Sequence, residues 1–192
     1  SWAWASAEAD NGDIWVTLEG GGLNRLDPIS GKAIHYRHDP EDSTSLSSDR
    51  PFYPYVAKNG DLWVSTFSNG LNRMPAGEDG TFERYQHDPG NPNSVSSDGS
   101  FWIGEDEEGN IWSGSTNGLN RINPESGEIT RYLYTPDIRR GYGAPENVLA
   151  VYIPSNSQGL VWAATGNGLV RLESQTGEHR RFLIEPNEEG VN

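Results

Sequence analysis

A tryptophan recurs at a nearly constant interval, and this recurrence constrains the chain more than any other feature. Trp15, Trp63, Trp112 and Trp162 stand 48, 49 and 50 residues apart. Each is preceded by a turn signal, as in Asn11-Gly12, Asn59-Gly60 and Gly109-Asn110, and in the fourth copy near Asn156 to Gly159. Each is followed by a leucine: Leu23-Asn24-Arg25, Leu71-Asn72-Arg73, Leu119-Asn120-Arg121 and Leu169-Val170-Arg171. A second landmark keeps the same phase. An aromatic stands four residues before a proline in Tyr36 and Pro40, Tyr85 and Pro89, Tyr132 and Pro136, and Phe182 and Pro186. Units of this length bury their apolar faces only by stacking on one another.

Each unit reads as four short strands. In the first they cover residues 2–8, 14–17, 23–26 and 33–37, with glycine turns between them. Asn-Gly supplies the positive φ angles of a tight hairpin turn. The second unit begins at residues 51–57, where Pro51 and Pro54 predict a bulged strand, because proline removes ladder hydrogen bonds. It continues through Leu62-Trp63-Val64 to a fourth strand at 82–85. The third begins at 101–103 and ends in a strand at 129–134; the fourth opens at 148–153 and closes at 180–184. Linkers ending Ser47-Ser48-Asp49 and Ser96-Ser97-Asp98 join the first three units, and residues 138–145 depart from that pattern.

Four antiparallel strands in about 50 residues are one blade of a β-propeller. The expected fold is all-β, a propeller of four blades at 1–49, 50–98, 99–146 and 147–192. The repeated Trp is placed as a plug between blades. The Leu of Leu-Asn-Arg is expected at the blade interface and its Arg facing outwards.

Composition agrees with this architecture. Hydrophobic residues make up 33% of the 192, below the ordinary globular share. The 7 Trp, 8 Tyr and 5 Phe replace the missing aliphatics as core formers. The net charge of −14 argues against nucleic acid and anionic membrane as partners, since no basic stripe is present to neutralise phosphates. The absence of cysteine rules out disulfides and thiolate chemistry. No apolar run reaches the ~18 residues of a membrane-spanning helix, so no direct membrane insertion is expected, and no signal peptide is visible.

The run Gly109-Asn110-Ile111-Trp112 to Gly118-Leu119-Asn120-Arg121-Ile122-Asn123-Pro124, with His38-Asp39-Pro40 and Ser45-Leu46-Ser47-Ser48-Asp49, resembles the two-component regulator propeller repeat. The resemblance spans all four units. It implies an extracytoplasmic sensor, periplasmic or extracellular, with neighbouring signalling domains in a longer parent chain and a glycan or other small-molecule ligand. Sensors of that family carry many more blades. Three arrangements are therefore open: a closed four-bladed ring, which is favoured; half of a larger ring built as a homodimer; or a cut from a longer array.

No catalytic motif stands out, and no cofactor or metal is expected. His35, His38, His87 and His179 fall at fourth strands, where a structural role is expected. The acidic clusters around Asp10 to Asp13 and Glu105 to Glu108 lack calcium-loop spacing. Functional interest falls on the first strands, which line the channel of a propeller. Trp4, Tyr53, Tyr55, Trp102 and Tyr152, with Arg50 and Asp98 nearby, are the candidate ligand site, because aromatic faces stack on sugar rings. Two alternatives remain: a polysaccharide lyase or glycoside hydrolase using acidic groups such as Glu105, and a scaffold without its own ligand.

Overall fold

The computed structural model describes residues 2–135, 146–156 and 158–183. Their regular structure is entirely β. The first sheet contains β1 (Ala3–Glu8), β2 (Ile14–Leu18), β3 (Gly22–Leu26) and β4 (Ala33–Tyr36). The second contains β5 (Pro51–Val56), β6 (Leu62–Thr66), β7 (Leu71–Met74) and β8 (Glu83–Tyr85). The third contains β9 (Ser100–Glu105), β10 (Ile111–Ser115), β11 (Gly118–Ile122) and β12 (Ile129–Tyr132). The fourth contains β13 (Val148–Tyr152), β14 (Leu160–Thr165), β15 (Gly168–Glu173) and β16 (His179–Phe182). Each sheet is antiparallel with its strands in chain order, the meander of a propeller blade.

The glycine before each Leu-Asn-Arg or its counterpart has a geometric cause. Gly22, Gly70, Gly118 and Gly168 all have positive φ. A Cβ there would run into the carbonyl oxygen of Tyr36, Tyr85, Tyr132 or Phe182 on the adjacent fourth strand. The strand expected to run to residue 134 stops at Tyr132, because Leu133 turns left-handed with φ 57°. The bulge predicted at Pro51 and Pro54 is present. It is not peculiar to the prolines: the pairing of every first strand with its neighbour shifts register.

Three hydrophobic seams join successive blades. Trp15, Leu23 and Tyr36 of the first blade meet Leu62, Val64, Met74 and Phe82 of the second. Trp63 and Leu71 of the second meet Ile103, Ile111 and Ile122 of the third. Trp112, Leu119 and Tyr132 of the third meet Val161, Ala163, Val170 and Leu172 of the fourth. Trp63 and Trp112 are the largest wholly buried side chains, so the plug reading holds for the inner blades. The linkers contribute Leu46 and Val95 to the seams they cross.

The arginine of Leu-Asn-Arg does not face outwards. Strand pairing sets Arg25, Arg73 and Arg121 opposite Trp15, Trp63 and Trp112 and on the same face. Their guanidinium carbons lie 5.6, 5.8 and 6.0 Å from the indole centroids. Carboxylates hold them there: Arg73 Nε is 2.8 Å from Asp61, Arg25 is 3.0 Å from Asp79 of the next blade, and Arg121 is 2.5 Å from Glu108.

The four sheets are those expected of a four-bladed propeller. Packing runs from the first blade to the fourth through three seams. Among the described residues, no hydrophobic cluster and no comparable strand packing joins the fourth sheet to the first. The described blades thus meet in three seams. The linker at 138–145, Arg139-Arg140, Pro136, Pro186 and the chain ends lie outside the described residues.

Candidate functional site

The linkers show why the residues before each first strand are ordered. Asn72 Oδ1 accepts from the Ser47 amide at 2.8 Å, and Asn120 Oδ1 from the Ser96 amide at 2.7 Å. Arg84 and Arg131, paired with those asparagines across the ladder, donate to linker carbonyls of Asp42 and Ser45, and of Asn91 and Ser94. Asp49 Oδ1 and Asp98 Oδ1 accept from the His38 and His87 amides at 2.9 and 2.7 Å. The ring Nδ1 atoms of those histidines meet the carbonyls of Leu46 and Val95. His38 and His87 therefore serve loop closure, as expected.

This scaffold places Trp4 and Arg50 together. Trp4 Nε1 donates to Glu19 Oε2 at 2.8 Å, and Arg50 Nε donates to Glu19 Oε1 at 2.9 Å. The Trp4 ring lies 5.6 Å from Phe52 and 5.4 Å from Phe67, and Phe52 is 4.9 Å from Phe67. The Arg50 guanidinium covers Phe67 at 5.2 Å. Trp4 is 43% exposed, so its ring is available beside a charged pair. Aromatic surface next to hydrogen-bonding groups suits a sugar ring, whose C–H face is apolar and whose hydroxyls need polar partners.

The other sequence candidates do not join this group within one chain. Tyr53 and Tyr55 pack against the seam of the second and third blades, and Trp102 against that of the third and fourth. Burial, followed by the charge of Glu105, raises the Tyr55 pKa. Tyr152 is 66% exposed on the far blade. Asp98 is engaged in loop closure, and its carbonyl accepts from Gly70 N. Sequence reasoning missed Glu19 and Phe67. Phe67 had a signal: it is an aromatic in a hairpin turn where the later repeats carry Thr116 and Gly166.

A groove of about 310 Å³ lies at the opposite end of the first seam, between Asp13, Trp15, Arg25, Met74 and Asp79. Its charged groups already satisfy one another: Arg25 bridges Asp13 and Asp79, and Tyr36 Oη donates to Asp79 at 2.5 Å. Burial and then that bond push the Tyr36 pKa up. The acidic clusters are likewise committed. The Glu105 side chain is only 4% exposed beside Lys58, and Asp106 accepts from Asn110 and from Trp112 Nε1 at 2.8 Å. Among the described residues, no group of three or more His, Asp or Glu is arranged to hold a metal ion.

No family model matches the sequence, and no curated protein does. Solved structures do. The extracellular domain assigned to a hybrid two-component system of B. thetaiotaomicron matches with a TM-score of 0.76 at 19% identity, over 95% of this chain and 24% of that one. The chain is a run of propeller blades. A second such domain from B. thetaiotaomicron matches with a TM-score of 0.70 at 21% identity, again over 24% of its length. A virginiamycin B lyase from Staphylococcus aureus matches with a TM-score of 0.68 at 22% identity, over 56% of its chain. The propeller therefore spans about a quarter of the length of the sensor domains it resembles. At these identities the likeness shows the fold. No helix of the described residues is long and apolar enough to cross a membrane.

Proposed function

We propose that this propeller is a non-catalytic binding segment of an extracytoplasmic sensor, periplasmic or extracellular, working beside signalling domains of a longer parent chain. Its ligand is a glycan fragment held against Trp4 and Phe67, with Arg50 and Glu19 meeting the hydroxyls. The observation that carries the ligand reading is the exposed Trp4 ring joined to Arg50 through Glu19. The sensor reading is supported by the extracellular two-component domains among its structural neighbours. A non-catalytic role is favoured because Glu105, the acid an enzyme would use, is buried and paired with Lys58.

Calorimetric titration against a panel of oligosaccharides tests the proposal. Saturable binding of at least one is expected. Trp4→Ala should weaken it about three- to tenfold, the worth of one aromatic stacking contact. Ile29→Ser, at a fully exposed turn, should leave it unchanged. No binding across the panel, or binding indifferent to both Trp4→Ala and Arg50→Ala, overturns the proposal.

A further inference from the structure

The groove of about 310 Å³ in the first seam is walled by faces that the first and second blades already turn towards each other. Its shape therefore does not depend on any further blade. The other seams are closed at this end by bonds that cross them. In the second, Lys58 N donates to Glu105 Oε2 at 2.8 Å and Lys58 Nζ to the Asp106 carbonyl at 3.0 Å, while Arg73 Nη1 donates to the Pro124 carbonyl at 3.3 Å. In the third, Asn156 N donates to Glu107 Oε1 at 2.8 Å.

The first seam departs from this at three places. The turn bonds that align Ala9 with Ala57 put Asp10 where Lys58 stands, so an anion replaces the cation that closes the second seam. Strand register puts Val56 where Glu105 stands, so the opposite wall has no carboxylate at that point. The β7–β8 turn is one residue longer: Arg73 pairs with Glu83, ten positions on, whereas Arg25, Arg121 and Arg171 each pair nine positions on. This turn brings Glu78 and Asp79 to the groove and is tied down by Ala76 N donating to Asp61 Oδ1 at 2.9 Å.

Two kinds of group are left unmet there. Four carboxylates, Asp10, Asp13, Glu78 and Asp79, share the groove with one guanidinium, that of Arg25. Arg25 bridges Asp13 and Asp79; Asp10 and Glu78 have no ion-pair partner among the described residues. The second is an indole N–H. Trp112 Nε1 donates to Asp106, but the equivalent of Asp106 beside Trp15 is Ala9, which lines the groove and has no side-chain acceptor. Trp15 is only 4% exposed, and its Nε1 bonds no described group. Trp63 Nε1 is also unmet but is sealed within its seam, whereas Trp15 Nε1 opens on the groove.

We propose that this groove binds a small organic cation: a primary ammonium with an apolar body and a carbonyl oxygen. The ammonium sits among Asp10, Glu78 and Asp79, the carbon chain lies along Val56 and Met74, and the oxygen accepts from Trp15 Nε1. Carboxylates in excess of cations draw a positive charge. A donor that folding has already stripped of most of its water gains most from a new acceptor. The volume and the mix of apolar floor with a few polar groups suit a ligand at the small end of the usual range.

NMR titration of the indole N–H signals with 6-aminohexanamide tests this. The groove lies at the other end of the seam from Trp4, so the result is independent of the glycan reading. The Trp15 signal, assigned by its Overhauser contacts to Tyr36, should shift saturably with a dissociation constant of about 1 mM or tighter. Hexanamide, which lacks the ammonium, and hexylamine, which lacks the oxygen, should each bind about fivefold more weakly. Asp10→Asn combined with Glu78→Gln, both at exposed positions, should weaken binding about threefold or more without loss of fold. Ala9→Asn gives Trp15 an internal acceptor and should erase the preference for 6-aminohexanamide over hexylamine, which a purely electrostatic attraction would not show. A Trp15 signal that stays in place, or that responds equally to hexanamide, overturns the proposal. So does an affinity unchanged in the double variant, or a preference that survives Ala9→Asn.

Discussion

The repeated tryptophan is used three ways in three chemical settings. Trp112 Nε1 donates to Asp106 at 2.8 Å. The corresponding position in the second blade is Ala57, which makes the same turn bonds to Asp61 and Gly60 that Asp106 makes to Asn110 and Gly109. Alanine has no acceptor to offer, so Trp63 Nε1 is buried without a partner. Trp162, outside the three seams, is half-buried against Phe182 at 5.8 Å. An unmet buried donor costs roughly 1–3 kcal/mol, so its removal offsets part of the packing loss. Trp112→Phe should therefore cost about 1.5–3 kcal/mol more than Trp63→Phe, the worth of a hydrogen bond to a charged acceptor. Urea unfolding followed by circular dichroism measures the difference, and equal costs would refute the account.

At the scale of elements, the linkers rather than the strands show why Asn follows Leu in the motif. A blade that receives a linker presents Asn and Arg as a paired clamp, Asn72 with Arg84 and Asn120 with Arg131. The first blade receives no linker from the described residues, and its Asn24 contacts His35 instead. Asn72→Ala removes the acceptor for the buried Ser47 amide and the donor to Ser47 Oγ at 2.9 Å. Hydrogen exchange over residues 45–49 should then speed up about fivefold or more, while β10 and β11 keep their protection. Unchanged exchange at Ser47 would mean that the clamp is not what holds the linker. The period and the strand-turn pattern were legible because each is set by neighbours in sequence. The arginine was misplaced, because its side follows from pairing register and from a carboxylate in another turn or blade. Nothing local distinguishes Arg25 from a solvated strand arginine until Asp79 is brought beside it.

Across the whole molecule the seams share one titration property. Tyr36, Tyr55, Tyr85 and Tyr132 all have raised pKa values, and burial is the largest cause in each. Below about pH 10, the ordinary tyrosine value, these phenols are protonated in folded and unfolded chains alike. Above it the unfolded chain loses protons that the folded chain retains, so stability falls as pH rises. The urea midpoint should drop between pH 8 and pH 11, and Tyr132→Phe should make that drop smaller. A midpoint independent of pH over this interval would show that the phenols are not held in the seams.

By itself the sequence determined the blade: its period, its four strands, the glycine turns between them and the Trp that fills a seam. Those features are local, or repeat with the local pattern, so one chain read alone is enough to find them. Only the tertiary structure decided which copies of a repeated residue are buried, which arginine reaches which carboxylate, and that Glu19 and Phe67 stand beside Trp4. It also decided which side chains fill each of the three seams between successive blades. The reason is physical: a blade carries the same pattern whether or not a neighbour covers it.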